Sequence, residues 1–127
     1  MGKLNPNQLK LFMTGKEVQS RVTQSLDTQP GEGLGEMWAR KEQESRVPGN
    51  FQTNPDAPGH GAGVYDSLAT RGYNPPDDRE VSQSVALRFD RLNQDEMRMG
   101  WGHHRVAAAA ALERDTGKQT FLPVNWL

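Results

Sequence analysis

The sequence predicts an α+β fold in which a small mixed β-sheet packs with short helices. Two stretches in the second half, "VALRF" and "MRMGW", alternate apolar and polar residues with the period of a β-strand. The alanine-rich stretch that follows predicts a helix, because alanine has the highest helix propensity. The chain then closes on "TFLPVNWL", a further strand. A helical and loop-rich N-terminal half precedes this pattern.

The predicted domain covers residues 64–127 and begins with the helix "VYDSLATRG". Val64 and Leu68 are spaced to face inward, and Gly72 stands where a C-cap glycine belongs. The next two strands are predicted to form a β-hairpin through the turn "DRLNQDE". Their inward-facing residues are apolar: Val85, Leu87 and Phe89 on one strand, Met97, Met99 and Trp101 on the other.

The alanine-rich helix begins within "GHHRVAAAAAL" and is predicted to end at Gly117. Its small side chains would let the helix lie close to the sheet. The final strand contains Pro123, which lacks a backbone N–H and therefore predicts an edge position in the sheet. The predicted order of the domain is helix, strand, strand, helix, strand.

Residues 1–63 are predicted to be a helical and loop-rich N-terminal extension. Thr14 and Glu17 have the spacing of a capping box, in which each side chain binds a backbone N–H of the other residue. Apolar residues recur at every fourth position of the helix that follows: Val18, Val22 and Leu26. This narrow stripe predicts that the helix docks either on the second half or on a partner, such as a host protein or a second copy.

A second N-terminal helix is predicted over Glu36–Arg46. Only Met37, Trp38 and Ala39 are available for burial, and the charged remainder is interpreted as a solvated face. The stretch 47–63 is rich in proline and glycine and is predicted to be a loop or a linker.

The composition limits the functions that this chain can have. Its 127 residues carry a formal net charge of -1, so DNA binding would need a local basic patch rather than bulk attraction. The absence of cysteine excludes thiol catalysis and cysteine-ligated zinc. No apolar run approaches the roughly 20 residues of a membrane span, and the N-terminus lacks the apolar region of a signal peptide. We therefore expect a cytoplasmic protein with no membrane partner.

The stretch "GWGHHRVAAAAAL" is the strongest candidate for a binding site. It leads from a strand directly into a helix, whose first turn offers backbone N–H groups and the positive end of the helix dipole. Gly102 would let an anion approach the backbone closely. Arg105 can hold phosphate oxygens with two N–H groups, and His103 and His104 add further donors. These four residues are predicted to form a phosphate-binding turn.

Two other interpretations of these residues stay open at this point. The "GHHR" stretch could be a purely structural helix start, with the histidines capping the helix or stacking on Trp101. A metal site is disfavoured, because adjacent helical residues point about 100° apart and helical histidine ligands usually need i, i+4 spacing. We therefore predict no metal ligand. His103 is the single candidate for acid–base catalysis.

The second half of the sequence resembles the ParB/sulfiredoxin superfamily over about Val64 to Leu127. The resemblance is carried by Ser67 and Leu68, Gly72, the turn at Pro75 and Pro76, the helix start with Gly102, Arg105 and Ala108, and the final Pro123 and Val124. It extends to the single-domain "ParB-like nuclease" proteins of bacteriophages. The resemblance implies the small mixed sheet of that superfamily and a phage protein that acts in the host cytoplasm.

In that superfamily the helix start binds nucleotide phosphates. The resemblance therefore implies CTP, ATP or ADP as the ligand of Gly102, His103, His104 and Arg105. His103 stands where partitioning proteins have a Mg²⁺-binding glutamate, which argues against Mg²⁺. Sulfiredoxins have a catalytic cysteine there, so a cysteine-free chain cannot carry out their reaction.

Three functions from different classes remain. The first is a nucleotide- or phosphate-binding module. The second is a DNA-binding protein or nuclease, whose basic surface would use arginines of the second half: Arg71, Arg79, Arg88, Arg91, Arg98 and Arg105. Arg88 and Arg98 are predicted to be cross-strand neighbours, although the aspartates among these arginines also fit a mixed solvated face. The third is a protein-interaction module that retains the fold without catalysis.

Overall fold

The computed structural model describes residues 11–47, 63–71, 85–89 and 96–127, and their fold is α+β as predicted. The elements in chain order are β1 (Phe12–Thr14), α1 (Gly15–Arg21), β2 (Gln24–Ser25), α2 (Leu34–Ser45), α3 (Val64–Arg71), β3 (Val85–Phe89), β4 (Met97–Trp101), α4 (His103–Thr116) and β5 (Phe121–Trp126). The predictions for the loop at 48–62, for Gly72 and for the turns on either side of β3 lie outside these residues.

The strands form one mixed sheet of five strands in the order β1-β5-β3-β4-β2. The β1–β5 and β3–β4 pairs are antiparallel, whereas β5–β3 and β4–β2 are parallel. The β3–β4 pair confirms the predicted hairpin pairing, with Leu87 opposite Met99 and Phe89 opposite Met97. The two outer strands, β1 and β2, come from the N-terminal half, for which the sequence predicts only helices and loops.

The expected edge position of Pro123 is wrong, because β1 covers that side of β5. Pro123 lies opposite Phe12, and the N–H of Val124 donates to the carbonyl of Leu11 at 2.9 Å. Among the described residues, the register of β5 with β3 begins one residue later, with Val85 opposite Val124. Pro123, which has no N–H to donate, therefore lies one residue before the first described β3–β5 pair.

The N-terminal half belongs to the same sheet and core as residues 64–127. Helix α1 begins with the predicted capping box: Thr14 Oγ1 accepts from the N–H of Glu17 at 3.2 Å, and Glu17 Oε1 accepts from the N–H of Thr14 at 3.3 Å. The helix has only 7 residues. Of the predicted stripe, Val18 and Val22 are therefore buried in the common core, whereas Leu26 lies beyond the helix and is 96% exposed.

Helix α2 corrects the prediction for its polar residues. Met37 and Trp38 are buried as expected, but Ala39 is exposed, and Lys41 and Ser45 are buried instead. Met37, Lys41 and Ser45 follow each other at i, i+4 and i+8, so they share one face of the helix. Lys41 and Ser45 belong to the part of α2 that the sequence predicts to be solvated, but they are buried in the interior.

The core lies between α4 and one face of the sheet, and α1, α2 and α3 all pack against α4. Small residues dominate the buried side of α4: Ala107, Ala108, Ala109 and Ala111. The sequence predicts that they bring the helix close to the sheet, and they also admit a neighbouring helix. A Cβ added to Gly15 of α1 would lie 2.5 Å from the carbonyl oxygen of Val106. Gly102 and Gly117, with φ of 95° and 77°, bound α4 at its two ends.

Candidate functional site

The segment that follows α1 approaches the start of α4. Thr23 and Met97 are joined by three hydrogen bonds: the N–H of Thr23 donates to the carbonyl of Met97 at 2.9 Å, and the Thr23 hydroxyl accepts from the N–H of Met97 at 2.8 Å and donates to its carbonyl at 3.3 Å. Ser25 follows in β2, which runs parallel to β4. Residues just after β2 therefore lie next to residues just after β4. This placement brings Asp27 beside His103, the first residue of α4.

His103 is the centre of this site and is only 3% exposed. Its Nε2 lies 2.7 Å from Oγ of Ser25, and its Nδ1 lies 3.2 Å from Oδ2 of Asp27. The ring of Trp38 packs against the imidazole, with 5.8 Å between the ring centroids. Of these two polar contacts only the one with Ser25 is a hydrogen bond, and its direction depends on which ring nitrogen carries the proton. The contact with Asp27 is electrostatic.

The turn after β2 is fixed by the hydroxyl groups of Ser25 and Thr28. Oγ of Ser25 accepts from the N–H of Asp27 at 3.0 Å, and the hydroxyl of Thr28 donates to the carbonyl of Ser25 at 3.0 Å. Such local turns hold residues i and i+2 in a defined geometry. Ser25 and Asp27 therefore approach the two nitrogen atoms of one imidazole from the same short segment.

A buried lysine compensates the charge of Asp27. Lys41 is 7% exposed, and its Nζ lies 2.9 Å from Oδ2 of Asp27. Arg40 adds a hydrogen bond of 2.7 Å from Nη2 to the backbone carbonyl of Asp27. Burial raises the pKa of Asp27, but the hydrogen bond from Lys41 and the positive charges nearby lower that pKa more strongly. Asp27 is therefore an ionised carboxylate at neutral pH.

The protonation state of His103 follows from its burial. Burial lowers the pKa of His103 to about 4, and the attraction of Asp27 only partly offsets that effect. The charges of Lys41 and Arg40 lower the pKa further. The imidazole is thus neutral at physiological pH. A neutral imidazole carries one proton, so in the contact with Ser25 its Nε2 either accepts from or donates to the hydroxyl.

His104 also faces a carboxylate of this chain. Its Nε2 lies 2.9 Å from Oε1 of Glu44, and burial lowers the pKa of His104, so the neutral ring donates this hydrogen bond. Arg105 is half-buried, and the N-cap Gly102 has no side chain that could cap the helix. Both histidines thus have polar partners within this chain, and the phosphate-binding role of Gly102, His103, His104 and Arg105 stays a prediction.

Glu32 fixes Arg40 at the edge of this cluster. The guanidinium donates from Nε to Oε2 and from Nη2 to Oε1 of Glu32, each at 3.0 Å. Oε1 also accepts from the N–H of Gln29 at 3.0 Å. The hydrogen bond from Arg40 is the main reason why the pKa of Glu32 falls to about 2. The segment that carries Asp27 is thereby tied to α2 at two points.

A cavity of about 280 Å³ borders Ser25. Its walls include Gln24, Ser25, Leu26, Arg88, Arg98 and Leu127. Arg88 and Arg98 are both exposed and lie opposite each other in the β3–β4 register, which confirms the predicted cross-strand pair. Arg88 makes no ion pair with any residue that the structure describes. Ser25 borders this cavity, while its hydroxyl contacts His103 on the opposite side of the sheet, where α4 packs.

The sequence identifies His103 but not the residues that surround it. Ser25 and Asp27 belong to a short turn that carries no periodic signal. Lys41 does carry one, because it follows Met37 by four residues and therefore shares the buried face of α2. Of the predicted basic surface, Arg79 and the side chain of Arg71 lie outside the described part of the chain, as does Arg91.

The described residues contain neither a metal-binding cluster nor a membrane-spanning helix. No group of three or more histidine, aspartate or glutamate side chains in 11–47, 63–71, 85–89 and 96–127 could hold a metal ion. Of the helices in those same ranges, none has the length and apolar character needed to cross a membrane.

Comparison with known proteins adds no relative to this picture. No protein-family model matches the chain, and no curated protein or solved structure matches it. These comparisons neither support nor contradict the resemblance to the ParB/sulfiredoxin superfamily, which stays a prediction.

Proposed function

We propose that this protein binds a phosphate-bearing small molecule, and that the ligand is a nucleotide of the kind the sequence resemblance implies, CTP, ATP or ADP. The observation that carries the proposal is the arginine pair of the cavity. Arg88 and Arg98 lie opposite each other on neighbouring strands and line the same space. A guanidinium group binds phosphate oxygens with two parallel N–H groups, so two of them form a strong phosphate site.

The other walls of the cavity fit a small ligand. Gln24 and Ser25 add polar groups, and Leu26 and Leu127 add apolar walls. A few polar groups on an otherwise apolar wall are typical of small-molecule sites.

The start of α4 is the second place at which the proposed ligand would contact the protein. Helix α4 has 14 residues, and its first turn lacks a side-chain cap. Gly100 of the cavity wall precedes Gly102 by two residues, which corresponds to roughly 7 Å of strand. A polyphosphate is long enough to connect the arginine pair with the first turn of α4. The cavity and the predicted turn would then hold different phosphates of one ligand.

Thermal unfolding with and without ligand tests this proposal, because a ligand that binds only the folded state raises the midpoint. The ligands are inorganic phosphate, CTP, ATP and ADP, each with and without Mg²⁺. We expect a rise of several degrees for the wild type and for Lys118→Gln, which removes an exposed charge elsewhere. The rise should be lost in Arg88→Gln and reduced in Arg105→Gln.

Three outcomes would contradict the proposal in different ways. Loss of the rise in Arg105→Gln alone would place the whole site at the helix start. Binding to a DNA duplex that weakens steeply with salt, with no response to nucleotides, would favour the DNA-binding function. An unchanged midpoint with every ligand would favour the interaction module.

A further inference from the structure

We propose that a furrow on the helical side of the molecule binds a small zwitterion, an amino acid with an apolar side chain. The furrow has a volume of about 520 Å³ and lies where α1 and α2 both pack on α4. Sites for small molecules usually have volumes of about 300–1,000 Å³. The proposal does not depend on the function proposed above, because the cavity with Arg88 and Arg98 lies on the other face of the sheet.

Small residues of α4 form the floor of this furrow. Ala110 and Ala111 leave space between the two flanking helices, and Trp38 of α2 lies on one wall. Lys16 and Gln19 of α1 lie on the other wall. Apolar surface thus borders polar and charged groups, which suits a ligand that has an apolar part and a charged part.

Glu113 brings a carboxylate to the furrow whose charge is not balanced by the residues that the structure describes. Its Oε1 is buried, and no hydrogen-bond partner for it occurs in 11–47, 63–71, 85–89 or 96–127. Burial of a charged oxygen without a hydrogen bond is costly. Because the two oxygens of a carboxylate share one negative charge, an ammonium group in the furrow would offset that cost at the buried oxygen as well.

Lys16 supplies a positive charge close to Glu113. Its side chain is exposed and forms no ion pair with any residue in the described part of the chain. Gly15, directly before it, packs so closely on α4 that an added Cβ would lie 2.6 Å from the backbone nitrogen of Ala110. Glu113 follows Ala110 by three residues, which is less than one turn of a helix. The two opposite charges therefore lie near the same contact between α1 and α4.

The other two charged residues of the furrow, Glu42 and Arg114, neutralise each other. Arg114 donates from Nη1 to Oε1 and from Nη2 to Oε2 of Glu42, at 2.8 and 3.1 Å. Such a bidentate pair satisfies both groups and joins α2 to α4 across the furrow. Of the charged groups that the structure places here, Lys16 and Glu113 remain for a ligand.

One positive and one negative group select a ligand that carries one of each. The ammonium group of an amino acid would donate to the carboxylate of Glu113. Its carboxylate would accept from Nζ of Lys16 and from the amide of Gln19, and its side chain would contact Ala110 and Trp38. A simple cation would be repelled by Lys16, and an anion without an ammonium group would be repelled by Glu113.

The first test is a titration followed by two-dimensional proton–nitrogen NMR of the folded protein. The probes are L-leucine, L-methionine and L-phenylalanine, together with two analogues of leucine: L-leucinamide, which lacks the carboxylate, and isocaproate, which lacks the ammonium group. At least one of the amino acids should shift the signals of residues around Lys16 and Glu113. Each analogue should bind at least about tenfold more weakly than L-leucine, since it lacks a charge-assisted hydrogen bond. No shift with any of the three amino acids at millimolar concentration overturns the site, and equal binding of an analogue overturns the zwitterion.

Variants of the two charged residues assign their roles. Glu113→Gln should abolish amino-acid binding, and Lys16→Gln should weaken it about tenfold, as expected for the loss of one charged partner. Glu36→Gln and Lys118→Gln remove exposed charges outside the furrow and should bind as the wild type does. Circular dichroism and unfolding midpoints establish that the variants are folded. A folded Glu113→Gln protein that binds as tightly as the wild type overturns the proposal.

Stability without ligand distinguishes a binding role of Glu113 from a structural one. The midpoint of Glu113→Gln should be equal to or above that of the wild type, because an uncompensated buried charge does not support the fold. The amino acid should raise the midpoint of the wild type only. A double-mutant cycle of Lys16→Gln and Glu113→Gln should show no coupling in the ligand-free protein. A lower midpoint of Glu113→Gln together with coupling to Lys16 would mean that the two charges pair with each other, which overturns the proposal.

Discussion

The ammonium group of Lys41 lies 2.9 Å from the carboxylate of Asp27, and the two side chains differ greatly in exposure, at 9% and 39%. The lysine therefore loses more hydration on folding than its partner does. A buried charge is tolerated only when its partner and the surrounding hydrogen bonds offset that loss. This contact consequently determines both the stability of the cluster and the charge around His103.

Replacement of Lys41 by alanine should lower the free energy of unfolding by about 2 kcal/mol. Loss of one partner from a fully buried pair costs about 3–5 kcal/mol, and the partial exposure of Asp27 reduces that cost. Urea denaturation at pH 7 measures the change. The exposed Lys118→Ala provides the control and should change stability by less than about 0.5 kcal/mol. Equal stability of the two variants would show that the Lys41–Asp27 contact does not support the fold.

The protein should lose stability as the pH falls from about 6.5 to about 4. The folded pKa of His103 is lowered from 6.5 to about 4 by burial, so the unfolded chain binds a proton in this range that the folded protein does not. Stability therefore rises with pH across the window and is fully present above 6.5. The contribution of His103 is up to about 3 kcal/mol, because each tenfold loss of proton affinity corresponds to about 1.36 kcal/mol. Urea denaturation at several pH values measures this slope.

The variant His103→Gln isolates this effect, because glutamine does not titrate. Its stability should change less than that of the wild type between pH 7 and pH 5. His104→Gln is the comparison for the neighbouring ring, whose pKa burial also lowers. The pKa values of Asp27 and Glu44 are also lowered, from their ordinary values of 3.8 and 4.5. The stability that these two carboxylates contribute is therefore lost at lower pH than the contribution of His103. An identical slope in wild type and His103→Gln would contradict a buried neutral imidazole.

Gly15→Ala should destabilise the protein by about 1–3 kcal/mol, the usual cost of overpacking a tight contact. The new Cβ would lie 2.5 Å from the carbonyl oxygen of Val106 and 2.6 Å from the backbone nitrogen of Ala110, neither of which can move without shifting α4. Thermal unfolding monitored by circular dichroism measures the loss.

Gly35→Ala is the matched control for that substitution. Gly35 lies in α2, and nothing is within 4 Å of the position that its Cβ would take. Alanine is favoured over glycine in a helix by up to about 1 kcal/mol, so this variant should be slightly more stable than the wild type. A Gly15→Ala protein as stable as Gly35→Ala would mean that α1 does not lie this close to α4.

Several elements could be predicted because their signals lie within a few neighbouring residues. Alternation identifies β3 and β4, alanine content identifies α4, and the capping box at Thr14 and Glu17 identifies the start of α1. Strands β1 and β2 have only 3 and 2 residues, which is too short for a periodic pattern. They are strands because they pair with the free edges of β5 and β4. The residues of β1 and β2 themselves carry no signal of that pairing.

The α+β class and the exposed arginine pair follow from the sequence alone, since the alternation of β3 and β4 places Arg88 and Arg98 on one face and their pairing makes them neighbours. The start of a helix at His103 follows in the same way. What His103 binds depends on the tertiary structure, because Ser25 lies 78 positions away along the chain. Contacts over that separation depend on how α2 and β2 pack beside α4. Local periodicity reflects the geometry of one element and carries no information about such packing.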